Sequence, residues 1–205
     1  MDRFASFADL EKDFTEGQHF RVKPFDRGGT ILILAPHGGG IERGTSEIAT
    51  SIAGDNLSLY LFEGLLRTAH DSQELHITST SFDEPRCLGL IRKFPKALAI
   101  HGCSNNGQAI YVGGKDDELK HTLIAELRTK GYQVRLGTGG LAGTDFANIC
   151  NRTSSGKGVQ LELSRGLRCM LFDNWQTHKS RKTTTALFTR LVSDIRDILD
   201  KEILR

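Results

Sequence analysis

Two apolar runs in this chain end alike. Ile31-Leu32-Ile33-Leu34 leads through Ala35 and Pro36 to His37 and Gly38, and Ala97-Leu98-Ala99-Ile100 leads to His101 and Gly102. Four consecutive apolar residues bounded by breakers read as a strand buried on both faces, the kind that lies inside a helix-covered parallel or mixed sheet. Such a sheet binds its ligands beyond the carboxyl ends of its strands. The two runs therefore constrain the fold and bring two imidazoles to equivalent strand ends.

The rest of the pattern agrees with an α/β architecture. Residues 4–14 read as a short amphipathic helix capped by Ser6, 20–22 as a strand and 26–29 as a turn. Pro36 is expected to end the strand before His37, and Gly38, Gly39 and Gly40 to turn tightly and leave room for an approaching group. A helix over 45–53 and a strand over 57–62 follow. The alternation of 75–80 predicts an extended strand. Asp83 reads as the cap of a helix carrying Pro85 in its first turn and running to about residue 93. Strands are expected at 97–100, 109–112, 132–136 and 158–163, and helices at 116–130 and 183–204. The glycine-rich stretch 137–157 is too long for an ordinary connection and reads as functional or mobile. The expectation is one domain, residues 1–205, with a mixed parallel and antiparallel sheet flanked by helices.

Composition narrows the function. A chain of 205 residues with 38% hydrophobic and 25% charged side chains can bury a core without staples. No apolar stretch approaches the length of a membrane span. The acid-bearing start lacks a secretory leader, so a cytoplasmic location is expected, with release on host lysis as the route outward. The four cysteines are far apart and read as reduced thiols. A formal charge of +2 does not call for nucleic acid.

The chemistry lies around His37. Glu42 follows it by five residues across the glycine bend, so both can turn onto one centre, and His101 offers a third ligand. Two imidazoles and a carboxylate suit Zn²⁺, one ion per chain, and three protein ligands with an open fourth position mark a catalytic site. Glu162 sits in the otherwise apolar run Val159-Gln160-Leu161-Glu162-Leu163. Strand alternation could send it to solvent together with Gln160; facing the metal, it would be the general base and acid. Asn151 and Arg152, with Lys157 a weaker candidate, could clamp a substrate carboxylate. His76 reads as a satisfied structural histidine, and His19, His70, His121 and His178 as surface. Three rival motifs fail. His37-Gly38-Gly39-Gly40 matches a lipase oxyanion element but has no Gly-x-Ser-x-Gly partner. Ser154-Ser155-Gly156-Lys157-Gly158 lacks the first glycine and the hydroxyl of a phosphate loop. A Cys103–His101 nucleophile pair is set aside on the expectation that the two side chains diverge.

Five blocks carry a family resemblance. PHGGGIERGTSEIA (36–49), SLYLFEGL (58–65), LHITSTSFDEP (75–85), AIHGCS (99–104) and NRTSSGKGVQLELS (151–164) occur in the order found in the poly-γ-glutamate hydrolases of bacteriophages and prophages. The chain resembles that family from about residue 30 to 165. The resemblance implies a zinc carboxypeptidase-like fold, with metal ligands falling on His37, Glu42 and His101 and the catalytic glutamate on Glu162. It implies Asn151-Arg152 as a carboxylate grip, although later in the chain than in carboxypeptidases. The departures, Gly38 and Cys103, remove no ligand. The implied activity is zinc-dependent cleavage of γ-glutamyl amide bonds in poly-γ-glutamate, serving phage capsule degradation, by a monomer with no membrane or nucleic-acid partner. The alternative is a zinc amidase acting on cell-wall or other γ-glutamyl peptides. A non-catalytic nucleic-acid-binding accessory protein would rest on Lys179-Ser180-Arg181-Lys182 alone.

Overall fold

The computed structural model describes residues 2–66, 72–177 and 180–204. The element order is α1 (Phe7–Asp13), β1 (Phe20–Phe25), β2 (Ile31–Gly39), α2 (Thr45–Ala53), β3 (Ser58–Gly64), α3 (Pro85–Ile91), β4 (Lys96–Cys103), β5 (Ala109–Gly114), α4 (Asp117–Thr129), β6 (Gln133–Leu136), β7 (Val159–Ser164), α5 (Arg165–Met170) and α6 (Ala186–Ile203). Short 3₁₀ turns lie at Gly139–Leu141, Ile149–Asn151 and Ser180–Lys182. His70, His178 and Lys179 lie outside the described residues.

The strands form one mixed sheet in the order β1-β3-β2-β4-β7-β5-β6. β3, β2, β4 and β7 run parallel, and β1 and β5 are antiparallel to β3 and β7. The chain leaves β2 for β3 on one side and returns to β4 on the other. The strand order therefore reverses between β2 and β4, which opens a crevice at their carboxyl ends.

Alternation along the central strands divides the core in two. Ile31, Ile33 and Ala35 of β2, with Leu98 and Ile100 of β4, pack against α2, α4 and α6. Leu32, Leu34, Ala97 and Ala99 face the opposite layer, where Phe7 and Leu10 of α1 and Leu90 and Ile91 of α3 meet Tyr60, Phe62 and Phe82. Buried Glu84 ties that layer together. It accepts from the Tyr60 hydroxyl and from the Cys87 amide, each at 2.8 Å. Glu84 is thus the helix cap expected at Asp83; the Asp83 carboxylate instead accepts from the Phe7 amide at 2.6 Å.

Two further expectations change. Pro36 does not end β2. Ala35 pairs with Leu61 and Gly38 with Glu63, so Pro36 and His37 together oppose Phe62 in a bulge, and the strand continues to Gly39. Bulges admit proline and re-aim a side chain. Residues 75–80 are not a strand either. Their backbone groups are taken singly: Ile77 O by His37, the Thr78 amide by Asp2 and Ser79 O by the Ile149 amide.

The glycines after His37 accommodate neighbouring protein. A Cβ on Gly39, where φ is +66°, would lie 2.4 Å from Gly64 O. Gly39→Ala is expected to lower stability by about 2 kcal/mol or more, from left-handed backbone strain plus that clash. Urea unfolding read by circular dichroism checks it through a lowered midpoint at unchanged slope.

Candidate metal and hydrolytic site

The bulge decides which face His37 joins. Simple alternation would send it to the layer of Ile33 and Ala35. Instead its ring lies 6.1 Å from that of Phe82 and 5.0 Å from that of His101, on the opposite face. His101 reaches that face from β4, and Glu162 of β7 is its register partner. Glu42 comes from the turn after β2, closed by the Glu42 amide on His37 O at 2.8 Å.

The donors converge. His37 Nδ1 is 3.2 Å from Glu42 Oε1 and 3.2 Å from His101 Nδ1, and His101 Nδ1 is 3.6 Å from Glu42 Oε2. Ligands tetrahedral about one ion at 2.0–2.1 Å stand roughly 3.3 Å apart, so these separations fit a zinc-sized cation. His37 Nε2–H donates to Ile77 O at 2.8 Å, which leaves the Nδ1 lone pair aimed inward. His101 Nε2 is buried without a hydrogen-bond partner. Glu42 is further oriented by the Gly102 amide at 2.8 Å.

His76 belongs here too, against the expectation of a structural role. Its ring lies 4.1 Å from that of His37. Its Nδ1 is 2.8 Å from Asp2 Oδ1, and its Nε2 is 3.9 Å from Glu42 Oε1. His37, Glu42 and His76 form a compact donor set. A carboxylate holding the outer nitrogen of an inward-facing imidazole is the usual support of a metal ligand. The only hint in the sequence was the dense polar run 76–81, of which Thr78, Ser79 and Thr80 line the same cavity.

The two carboxylates are tuned oppositely. Burial would raise the Glu42 carboxyl, but the facing His37 and His101 imidazoles outweigh it and hold Glu42 well below the usual range. For Glu162, burial dominates and the Glu42 charge adds to it; against the partial offset of His101, its carboxyl is pushed up to about 7. Gln160, on the same strand face, donates to Glu162 Oε1 at 3.3 Å. Both therefore face the cavity, and their shared face is not the solvent side. The cavity holds about 330 Å³ and is also lined by Gly140 and Leu141 of the glycine-rich stretch. Cys103 lines it as well, since residues two apart on a strand share a face; burial raises its thiol, which disfavours a thiolate nucleophile.

The expected carboxylate grip is not brought to the cluster. None of Asn151, Arg152 and Lys157 lines this cavity. Asn151 is buried, accepts from the Lys115 amide and donates to Gly143 O and Asp145 O, so its amide is spent on shaping the loop. The Arg152 guanidinium donates to Ala147 O at 3.4 Å, and Lys157 is exposed. Nor is Arg181 part of a basic surface patch. It is buried, pairs with Glu47 at 2.8 Å and donates to Gly39 O.

Comparison with known proteins gives the family. The family model for poly-gamma-glutamate hydrolase matches residues 4–194. The chain belongs to the poly-γ-glutamate hydrolase family. It is thus an enzyme of a hydrolase family. It is similar to a bacteriophage poly-γ-glutamate hydrolase structure, with 32% identity, TM-score 0.94 and 98% of each chain covered. The zinc-free apo form of YndL is 35% identical, with TM-score 0.92 and 98% and 99% of the two chains covered. An SPbeta prophage-derived protein of Bacillus subtilis (strain 168), YoqZ, is 34% identical over 204 residues, 98% of this chain and 73% of its own length.

Arg168 is a site residue that sequence reading missed, because an arginine in a short helix reads as solvent-facing. It is buried and donates to Leu163 O, Arg43 O and Cys103 O at 3.0, 2.6 and 3.1 Å. It thereby fastens the ends of β7 and β4 to the turn carrying Glu42. Its guanidinium occupies the space a Cβ at Gly102 would take. Arg168→Gln is expected to cost about 3 kcal/mol by orphaning buried carbonyls, read as a lower urea midpoint.

Proposed function

We propose that this enzyme hydrolyses γ-glutamyl amide bonds of poly-γ-glutamate, with one Zn²⁺ per chain held by His37, Glu42 and His101. The observation that carries the reading is their approach to 3.2–3.6 Å in the cavity that the buried Glu162 carboxyl also lines. When bound, the ion supplies a Lewis acid for the substrate carbonyl and lowers the pKa of water toward 7.

The protein's own groups do the remaining work. Glu162 takes the proton of the attacking water and gives it to the departing amine; a carboxyl lining the same cavity as the ligand set is placed for both transfers. Gln160 orients it through the 3.3 Å bond. His37 is fixed by Ile77 O and Glu42 by the Gly102 amide, so the ligand set is held in position before substrate arrives. His76, braced by Asp2, faces the same centre. Thr78, Ser79 and Thr80 give the cavity a polar wall for an amide-rich chain. The bacteriophage relative supports poly-γ-glutamate as the polymer, and the zinc-free form of YndL supports zinc as the metal.

Chelator-treated protein is expected to lose cleavage of poly-γ-glutamate and recover it on adding Zn²⁺. Glu162→Gln should keep zinc content by elemental analysis while turnover falls at least about a hundredfold. Full turnover in that variant would remove Glu162 from the mechanism. Because His76 also forms a compact donor set with His37 and Glu42 and is held by Asp2, Asp2→Ala is expected to weaken zinc affinity about tenfold, measured by competition with a chromophoric chelator.

A further inference from the structure

Beside the cavity of His37 lies a second, smaller cleft of about 190 Å³. Its lining includes Arg43, Arg165, Arg168, Trp175 and Gln176, and no carboxylate. The Arg43 and Arg165 guanidiniums stand over the one indole, 5.9 and 5.6 Å from the Trp175 ring. Among the described residues, no acid pairs with either arginine. Arg43 makes one weak side-chain hydrogen bond, 3.4 Å to Gln176 Oε1. Other charged side chains of the fold are treated differently: Arg21 meets Glu63, Arg86 meets Glu16 and Glu84, and Arg181 meets Glu47. Two cations left together without an acid form a ready-made place for an anion. An arginine facing an aromatic ring with no acid beside it can turn its planar fork of N–H groups to a carboxylate.

The cleft is tied to the reaction centre through the backbone. Glu42 turns to the histidines, and Arg43, the next residue, turns to the cleft. Arg168 lines the cleft and donates to the carbonyl of Cys103, which lines the other cavity. One turn of chain and one strand end separate the two. Each unit of poly-γ-glutamate carries its amide in the backbone and one free α-carboxylate as a side group. A polymer crossing the His37 cluster therefore presents an anion to this neighbouring cleft.

We infer that Arg43 and Arg165, spaced by Trp175, form a subsite that binds the α-carboxylate of a γ-linked glutamyl unit flanking the scissile bond. The inference rests on the hydrolase reading above and supplies the carboxylate grip that Asn151, Arg152 and Lys157 do not bring to that cavity.

Trp175 is the single tryptophan of the chain, so its emission reports on the cleft directly. The experiment titrates γ-linked tetraglutamate into zinc-loaded Glu162→Gln protein, reading tryptophan fluorescence and, in parallel, calorimetry. The same titration is run with Arg43→Gln, Arg165→Gln and Arg43→Lys added, and with a tetramer whose α-carboxylates are amidated. Saturable emission change is expected, with each glutamine variant binding about tenfold more weakly and the lysine variant falling between, since it keeps charge but loses the fork. The amidated tetramer should bind weakly and be indifferent to the substitutions. Added salt should weaken the parent more than the variants. Equal affinity of the parent and both glutamine variants overturns the subsite, and if wild-type protein still cleaves the polymer the hydrolase reading stands without it. Arginine-dependent binding by a protein that cleaves nothing keeps the subsite and removes the hydrolase reading. No calorimetric binding to any form overturns the subsite outright.

Discussion

A single irregularity in β2 makes the site possible. A strand alternates its side chains strictly, so the residues that bury Ile33 and Ala35 against the helices of one layer would carry His37 there too. His101 and Glu162 alternate onto the other face, behind Ala99 and Gln160. Only because Pro36 and His37 jointly oppose Phe62 does His37 change sides and meet them. The same irregularity carries the chain into a close run of glycines against β3, where neighbouring backbone leaves no room for Cβ atoms at Gly39. Those glycines serve packing, and the packing fixes the turn that presents Glu42.

Once assembled, the cluster works by contrast. Glu42 and Glu162 are the same chemical group in one small cavity. His37 and His101 face the first and, against burial, hold its carboxyl well below the usual range. Burial, with that charge beside it, pushes the second up to about 7. In the mechanism we propose, separating the affinities of two neighbouring carboxyls by environment would give one fold a ligand and an acid–base from identical side chains. Arg168 stabilises the arrangement from behind, binding three carbonyls where three chain segments meet.

The legible part of the sequence was that governed by repetition. Buried strands announce themselves as apolar runs, and α4 by its capping Asp116 and its leucine stripe, Leu119, Leu123 and Leu127. Interactions between distant segments left weaker traces. Residues 75–80 alternate like a strand, yet their backbone groups are satisfied one by one by His37, Asp2 and the Ile149 amide, three partners from three places in the chain. Asp83 is the better cap on paper; the Tyr60 hydroxyl, held in β3, fastens the Glu84 carboxylate where it caps the helix instead. The Asn151-Arg152 pair resembles a substrate grip in sequence, but carbonyls of its own loop consume the asparagine.

By itself the sequence determined the α/β class, the strand ends where His37 and His101 emerge, and the chemistry of two imidazoles and two carboxylates, because those follow from residue type and local period. Tertiary structure alone decided that His37 shares a face with His101, that His76 joins them under the hold of Asp2, and that Arg43 and Arg165 share one indole. Each of these depends on a contact between residues far apart in the chain, and local periodicity carries no record of which distant segment a side chain will meet.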